Sequence, residues 1–396
     1  MSRFHVVSFA AMTIGLVACA DAPTAPAPVA AAGAASRSVA PTWATTITGT
    51  TGPGAQYAIF VPAPWNGDVV YYAHGIVDAA LPVALPTSAI AELRDSLGVM
   101  GYAVAYSSFS QNGWAVKDGI ERTHQLRGLF ESRVGEAKRS YVIGHSMGGL
   151  IALALAEKFP RQYDGALPMC GVLDGAQHQI DYIANVRTVF DYFYPGVLPG
   201  NAVDIQPELD LNTQVLGPAQ FAIVNNPNGA GAMAQIVQTP LPFADPPELV
   251  QSILTAIAFD ARGADDIVDR THEHSPFGNS ATTYAGLLPP PILADLNARV
   301  ARFTETPDAA KYLAKYYEPS GDLRIPTVTI HTTRDPVVPV FHESGYAGRA
   351  AAEGASSNLL QRSISRYGHC AFAIGEMTDA FRALTGWVVS GVRPAE

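Results

Sequence analysis

Continuous apolar runs of five or six residues alternate along the chain with longer windows whose apolar residues fall at helical spacing. Asp68–Ala73 is such a run, ending at His74-Gly75, and Tyr102–Tyr106 and Ser140–Ile143 repeat it. Runs without alternation predict strands buried on both faces, as in a parallel sheet. Between them, Ser88–Leu97 and Val116–Arg133 carry the helical spacing, and Gly149–Phe159 predicts an apolar helix stopped by Pro160. Three further strands are predicted at Gly165–Cys170, Pro326–His331 and Leu359–Ser365, followed by a final helix through Trp387. Shorter β-type runs at Thr45–Thr51 and Gln56–Val61 predict a leading antiparallel pair. Strands that alternate with helices build an α/β architecture with a mostly parallel, doubly wound sheet. Between Asp174 and Gly321 the alternation is lost, and Pro-rich joints such as Pro240-Leu241-Pro242 and Pro289–Pro291 separate irregular helices. That stretch reads as an inserted, mainly helical cap lying over the carboxyl ends of the strands. The expected organisation is a core in two parts, 41–173 and 322–396, with the cap at 174–321.

The start of the chain has another character. Arg3 precedes an apolar run from Val6 to Val17, too short to span a bilayer comfortably, so residues 1–18 read as a signal peptide. Leu16-Val17-Ala18-Cys19 resembles the lipobox of bacterial lipoproteins, which implies lipidation of Cys19. The alternative is an ordinary secretory signal with Cys19 near the cleavage site. Residues 19–40 follow as an Ala/Pro-rich tether. The expected location is therefore outside the cytoplasm, either lipid-anchored in a bacterial cell envelope or secreted, where disulfides persist.

A formal net charge of −10 lacks the basic face that phosphate-backbone binding needs, which excludes nucleic acid as an expected partner. At 48% hydrophobic and 15% charged, the chain can bury a large core. No phosphate-cradling glycine loop stands apart from the serine turn described next, so no organic cofactor is expected.

Gly144-His145-Ser146-Met147-Gly148-Gly149 falls between a predicted strand and a predicted helix. A sharp strand-to-helix turn forces its serine into strained backbone geometry, and the glycines two positions to either side leave room where a Cβ would collide. The hydroxyl is then lifted clear of the sheet, and the amide of Met147 at the helix start can donate to an oxyanion.

With this turn the chain resembles the α/β-hydrolase family, from about residue 57 to 390 apart from the cap. The resemblance implies the order serine, acid, histidine. Arg334-Asp335-Pro336-Val337-Val338-Pro339 looks like the family's acid loop, and Gly368-His369-Cys370 looks like its histidine loop. Ser146 is then the nucleophile, His369 the base and Asp335 the carboxylate that orients it. Asp174 is the rival acid, because some members of this fold place the acid one strand earlier. His74-Gly75-Ile76 stands where the family places its second oxyanion amide, which makes Ile76 the candidate donor.

The expected reaction is hydrolysis of a small-molecule or polymeric ester through an acyl-enzyme. A peptidase of the same fold is the alternative, and a non-catalytic ligand-binding lipoprotein is an alternative of another class. Cys170 and Cys370 follow predicted strands near the site, and either bridge each other or remain separate thiols. His272-Glu273-His274 and His178 lack the spacing of a helical metalloprotease pair and read as solvated cap histidines, with no metal expected. Aromatic residues gather at Tyr182, Phe190 and Tyr192–Tyr194 and again at Tyr312, Tyr316 and Tyr317, with Trp114 after a core strand. Such residues either form cap core or line a pocket.

Overall fold

A computed structural model describes residues 40–204, 209–272, 274–316 and 318–395. The signal segment, Cys19, the tether up to residue 39, Glu273 and Tyr317 lie outside the described residues.

Eight strands form one sheet in the order β1-β2-β4-β3-β5-β6-β7-β8. They are β1 (Trp43–Thr51), β2 (Ala55–Pro62), β3 (Asp68–Ala73), β4 (Ala103–Ser107), β5 (Arg139–His145), β6 (Gly165–Met169), β7 (Thr327–Arg334) and β8 (Leu359–Tyr367). β1 and β2 pair antiparallel, as does β2 with β4, and every other neighbouring pair is parallel. The sheet is therefore the mostly parallel, doubly wound one that the apolar runs predict.

Side chains of a strand alternate between faces, and β3 displays this directly. Val69 and Tyr71 pack toward α2 (Val116–Arg133) and α3 (Met147–Lys158), where Tyr71 meets Phe130 edge-on at 6.4 Å. Val70 and Tyr72 join the opposite cluster with Leu93 and Leu97 of α1 (Thr87–Val99) and Phe381 and Leu384 of α11 (Ile374–Ser390). Both faces are apolar because both are covered, which is why the strands show no polar alternation. Full burial of one such large side chain is worth about 1.5–3 kcal/mol.

Between β6 and β7 lie α4 (Ala176–Phe193), a π-helical turn (Leu211–Leu216), α5 (Gly217–Asn225), α6 (Pro227–Met233), α7 (Pro246–Arg270), α8 (Pro290–Arg299) and α9 (Pro307–Tyr316). All of these but α9 contribute to an apolar cluster of their own, with Val186 and Phe190 of α4 packed among Ile253, Leu254 and Ile257 of α7, whereas Leu313 of α9 packs into the core cluster of the sheet. Tyr182 and Tyr194 are buried in it as well. Arg187 is 1% exposed, and its charge is met by Asp191, Asp260 and the Pro199 carbonyl, which ties α4 to α7. An unpaired charge at that depth would be prohibitive.

Two differences from the predicted elements bear on the site. α3 begins at Met147, two residues before the predicted start, so the helix opens immediately after Ser146. The sequence reading also has no counterpart to α10 (Phe341–Ala352), whose only large apolar side chains are Phe341 and Tyr346.

The parallel register sets the strand ends side by side. Ala73 pairs with Gly144, and His145 pairs with Met169. The loops after β3, β5, β6, β7 and β8 consequently emerge along one edge of the sheet, where open α/β sheets hold their ligands.

Candidate active site

Ser146 directly follows β5 with φ 57° and ψ −123°, a positive φ that a non-glycine residue rarely adopts. The turn is enforced by its neighbours. Its amide donates to the Met169 carbonyl at 2.9 Å. A Cβ on Gly144 would stand 2.1 Å from the Gly148 carbonyl oxygen, and one on Gly148 would stand 2.1 Å from the Ala73 carbonyl oxygen. Only hydrogen fits at either position, so strand and helix close tightly around the serine. Ser146 is 3% exposed, and Met147, next along, opens α3 with an amide that has no carbonyl partner inside the helix.

The turn carrying Ile76 is pressed against the same place, since a Cβ on Gly148 would also stand 2.6 Å from the His74 carbonyl oxygen. His74 is buried and fixes this turn: its ring stacks on Phe109 at 3.8 Å, and Nδ1 donates to the Gly75 carbonyl at 2.7 Å. Burial lowers its pKa, which keeps the ring neutral.

His369 projects from the loop after β8, between Gly368 at φ 115° and Cys370 at φ 50°. Its Nδ1 donates to Asp335 Oδ2 at 2.7 Å, so the proton sits on Nδ1 and Nε2 is the basic nitrogen. The loop is pinned from both sides. Gly368 donates its amide to the Arg334 carbonyl, and Thr332 Oγ1 donates to the Gly368 carbonyl. Cys370 is disulfide-bonded to Cys170, with Cα atoms 5.3 Å apart. Cys170 directly follows Met169, whose carbonyl anchors Ser146, so the bridge fastens the histidine loop beside the serine turn.

Asp335 is wholly buried. Its Oδ1 accepts the amides of Val337 at 2.9 Å and Val338 at 3.0 Å, leaving Oδ2 for His369. Burial pushes its carboxyl up, but the His369 and His331 rings beside it outweigh that and hold it well below the usual carboxylate range. The acid loop is also gripped by α4, where Gln179 donates to the Val337 carbonyl at 2.7 Å and Tyr182 to the Pro336 carbonyl at 3.1 Å.

Asp174, the rival acid, is engaged elsewhere. Arg349 Nε donates to its Oδ1 at 2.9 Å and His178 faces its Oδ2. It is Asp335 that accepts from His369. His272 and His274 are both exposed.

A pocket opens beside Ile76, lined by Trp114, Ile180, Ile183, Phe259 and Phe277 among others. Two of its polar side chains are already engaged: Asp260 pairs with Arg187, and Gln179 is bonded to Val337 and His342. Asp266 of α7 accepts the Trp114 amide at 2.6 Å, which joins the core loop to the helical segment across the pocket.

Two residues of the site were missed in the sequence. His331 and Glu343 stand behind Asp335, with His331 Nε2 at 3.6 Å from Asp335 Oδ2 and Nδ1 at 3.2 Å from Glu343 Oε1. The available signal was a histidine set among the β-branched threonines, Val328 and Ile330 of the run that forms β7.

Residues 71–203 match a family model described as "Putative esterase". No curated protein matches the chain. Among solved structures, feruloyl esterase B from Aspergillus oryzae is 15% identical, with a TM-score of 0.52 over 88% of this chain and 80% of that one. An esterase of Pyrococcus furiosus is 11% identical, with a TM-score of 0.44 over 88% and 90% of the two chains. The acylaminoacyl peptidase of Pyrococcus horikoshii is 7% identical, with a TM-score of 0.45 over 89% of this chain and 42% of that one. The chain has the α/β-hydrolase fold.

Proposed function

We propose that the chain is a serine hydrolase that cleaves carboxylic esters through an acyl-enzyme on Ser146. The observation that carries this reading is the hydrogen bond from His369 Nδ1 to buried Asp335, on a loop disulfide-bonded to the residue after Met169, beside a serine in strained geometry. Asp335 fixes the tautomer in which Nε2 can take the Ser146 proton. The hydroxyl oxygen attacks the ester carbonyl, and the amides of Met147 and Ile76 receive the developing oxyanion. His369 then returns the proton to the departing alcohol. A water gives its proton to the same nitrogen and attacks the acyl-enzyme, which releases the acid and restores Ser146. The match of residues 71–203 to an esterase family model supports this chemistry.

The helical segment serves as a cap in this reading, and the apolar pocket beside Ile76 receives a neutral apolar group of the ester. An aminopeptidase-like enzyme needs a charged site for a peptide terminus, and the buried charge in the pocket wall, Asp260, already pairs with Arg187. The test is a series of p-nitrophenyl esters set against aminoacyl p-nitroanilides. Esters are expected to turn over and amides are not; amide turnover alone would favour the peptidase. In Ile183→Trp the indole fills the pocket, and the preference for hexanoate over acetate should fall about tenfold or more, since each methylene left unburied forfeits about 0.8 kcal/mol.

Export through residues 1–18 and lipid attachment at Cys19 belong to the same reading and rest on the sequence. Mass spectrometry of the mature N-terminus is expected to find a lipidated Cys19; an unmodified chain starting elsewhere would leave an ordinary secretory signal.

A further inference from the structure

Behind the Asp335 carboxylate lie two ionisable groups that the reaction sequence above does not use. His331 projects from β7 and is 0% exposed; Glu343 stands in the first turn of α10 and is 7% exposed. His331 Nε2 lies 2.7 Å from the Val338 carbonyl oxygen and 3.6 Å from Asp335 Oδ2, while Nδ1 lies 3.2 Å from Glu343 Oε1. All three are oxygens that accept. A neutral imidazole has one donor and one acceptor nitrogen and would turn a lone pair toward one of them, whereas the imidazolium donates from both sides. Glu343 Oε2 in turn accepts from Thr329 Oγ1 and Gln361 Nε2, each at 2.6 Å. Burial pushes His331 down, but Asp335 and Glu343 raise it to about 9. His342 of α10 is also titratable, but burial and then the His331 charge lower it to about 3, so it stays neutral near pH 7.

We propose that His331 is a permanently protonated positioning residue, anchored by Glu343, that holds Asp335 in place and sets how strongly its charge acts on His369. The proposal rests on the serine-hydrolase reading of Ser146, His369 and Asp335. It extends that set into a line running Ser146, His369, Asp335, His331, Glu343, buried from Asp335 onward, in which no proton need pass beyond His369. The balance matters because a fully buried carboxylate facing His369 alone would make the imidazole more basic and leave more of it protonated, unable to accept from the serine. A fixed cation on the far side divides that field while keeping Asp335 ionised.

The test is the rate at which a fluorophosphonate acylates Ser146 as a function of pH, in the wild type and in His331→Gln. The glutamine retains a donor for the Val338 carbonyl but carries no charge. With the cation gone, the undivided Asp335 charge favours the protonated form of His369, so the acid limb of the profile should move up by about one pH unit. The plateau rate should fall about tenfold as Asp335 loses a partner that holds it. A merely structural histidine would lower thermal stability and leave the profile superimposable on the wild type, which would overturn the proposal. Where His331→Gln does not fold, ¹⁵N NMR of histidines in the wild-type chain decides it. Both His331 nitrogens are expected to bear protons at about pH 7.5, where a neutral His369 bears one, and a neutral His331 there would overturn the proposal. Failure of the wild type to label would overturn the serine-hydrolase reading and the proposal with it; labelling with an unmoved profile overturns the proposal alone.

Discussion

Replacing Ser146 by alanine is expected to lower ester turnover by about 10⁴-fold or more while leaving the melting temperature nearly unchanged. The hydroxyl is the only atom lost. The turn itself is fixed by features that survive the change: the amide bond to Met169, and the contacts of Gly144 with Gly148 and of Gly148 with Ala73. Because φ 57° is strained for any residue with a Cβ, alanine has no easier conformation available within the closed turn. Paired measurement of kcat/KM and of thermal unfolding checks both halves. Retained turnover would remove Ser146 as the nucleophile, and loss of folding would mean that its side chain also packs the turn.

Asp335→Asn carries the second large effect, a loss of about 10⁴-fold in kcat. The volume hardly changes, but the amide of the asparagine can present its NH₂ to His369 Nδ1. That forces the ring proton onto Nε2, the nitrogen that must accept from Ser146. The buried His331 cation would lose one of its two carboxylates at the same time. Asp174→Asn is the matched control. Its carboxylate pairs with Arg349 and His178, so the substitution should weaken the docking of α10 while kcat stays within about twofold. A reversal of the two results, with Asp174→Asn the inactive variant, would make Asp174 the acid.

The strands were legible because their physics is local. A run buried on both faces is mostly apolar, and Asp68–Ala73 appears in the sequence with the same limits it has in the fold. The serine turn was legible because glycine at 144 and 148 is required by contacts within a few residues and with the next strand. The candidate acid and histidine loops were picked out through family resemblance, not periodicity, since the contact between them joins two separate loops. The same limit explains what was missed. α10 is rich in Ala and Gly and carries few large apolar side chains, yet it brings Glu343 under β7. His331 looked like the end of a strand because its partners, Asp335 and Glu343, are assembled only when β7, its loop and α10 fold together. The pairing of Cys170 with Cys370 was open for a similar reason: 200 residues separate them in sequence.

The central claim is that Ser146 is the nucleophile activated by His369, and covalent labelling tests it most directly. The chain is treated with a fluorophosphonate, digested, and the modified peptide is identified by mass spectrometry. One adduct per chain on Ser146, absent in Ser146→Ala and strongly slowed in His369→Ala, is the result predicted. An ester-hydrolysing chain that labels at another residue, or whose Ser146 reacts equally fast without His369, would contradict the account.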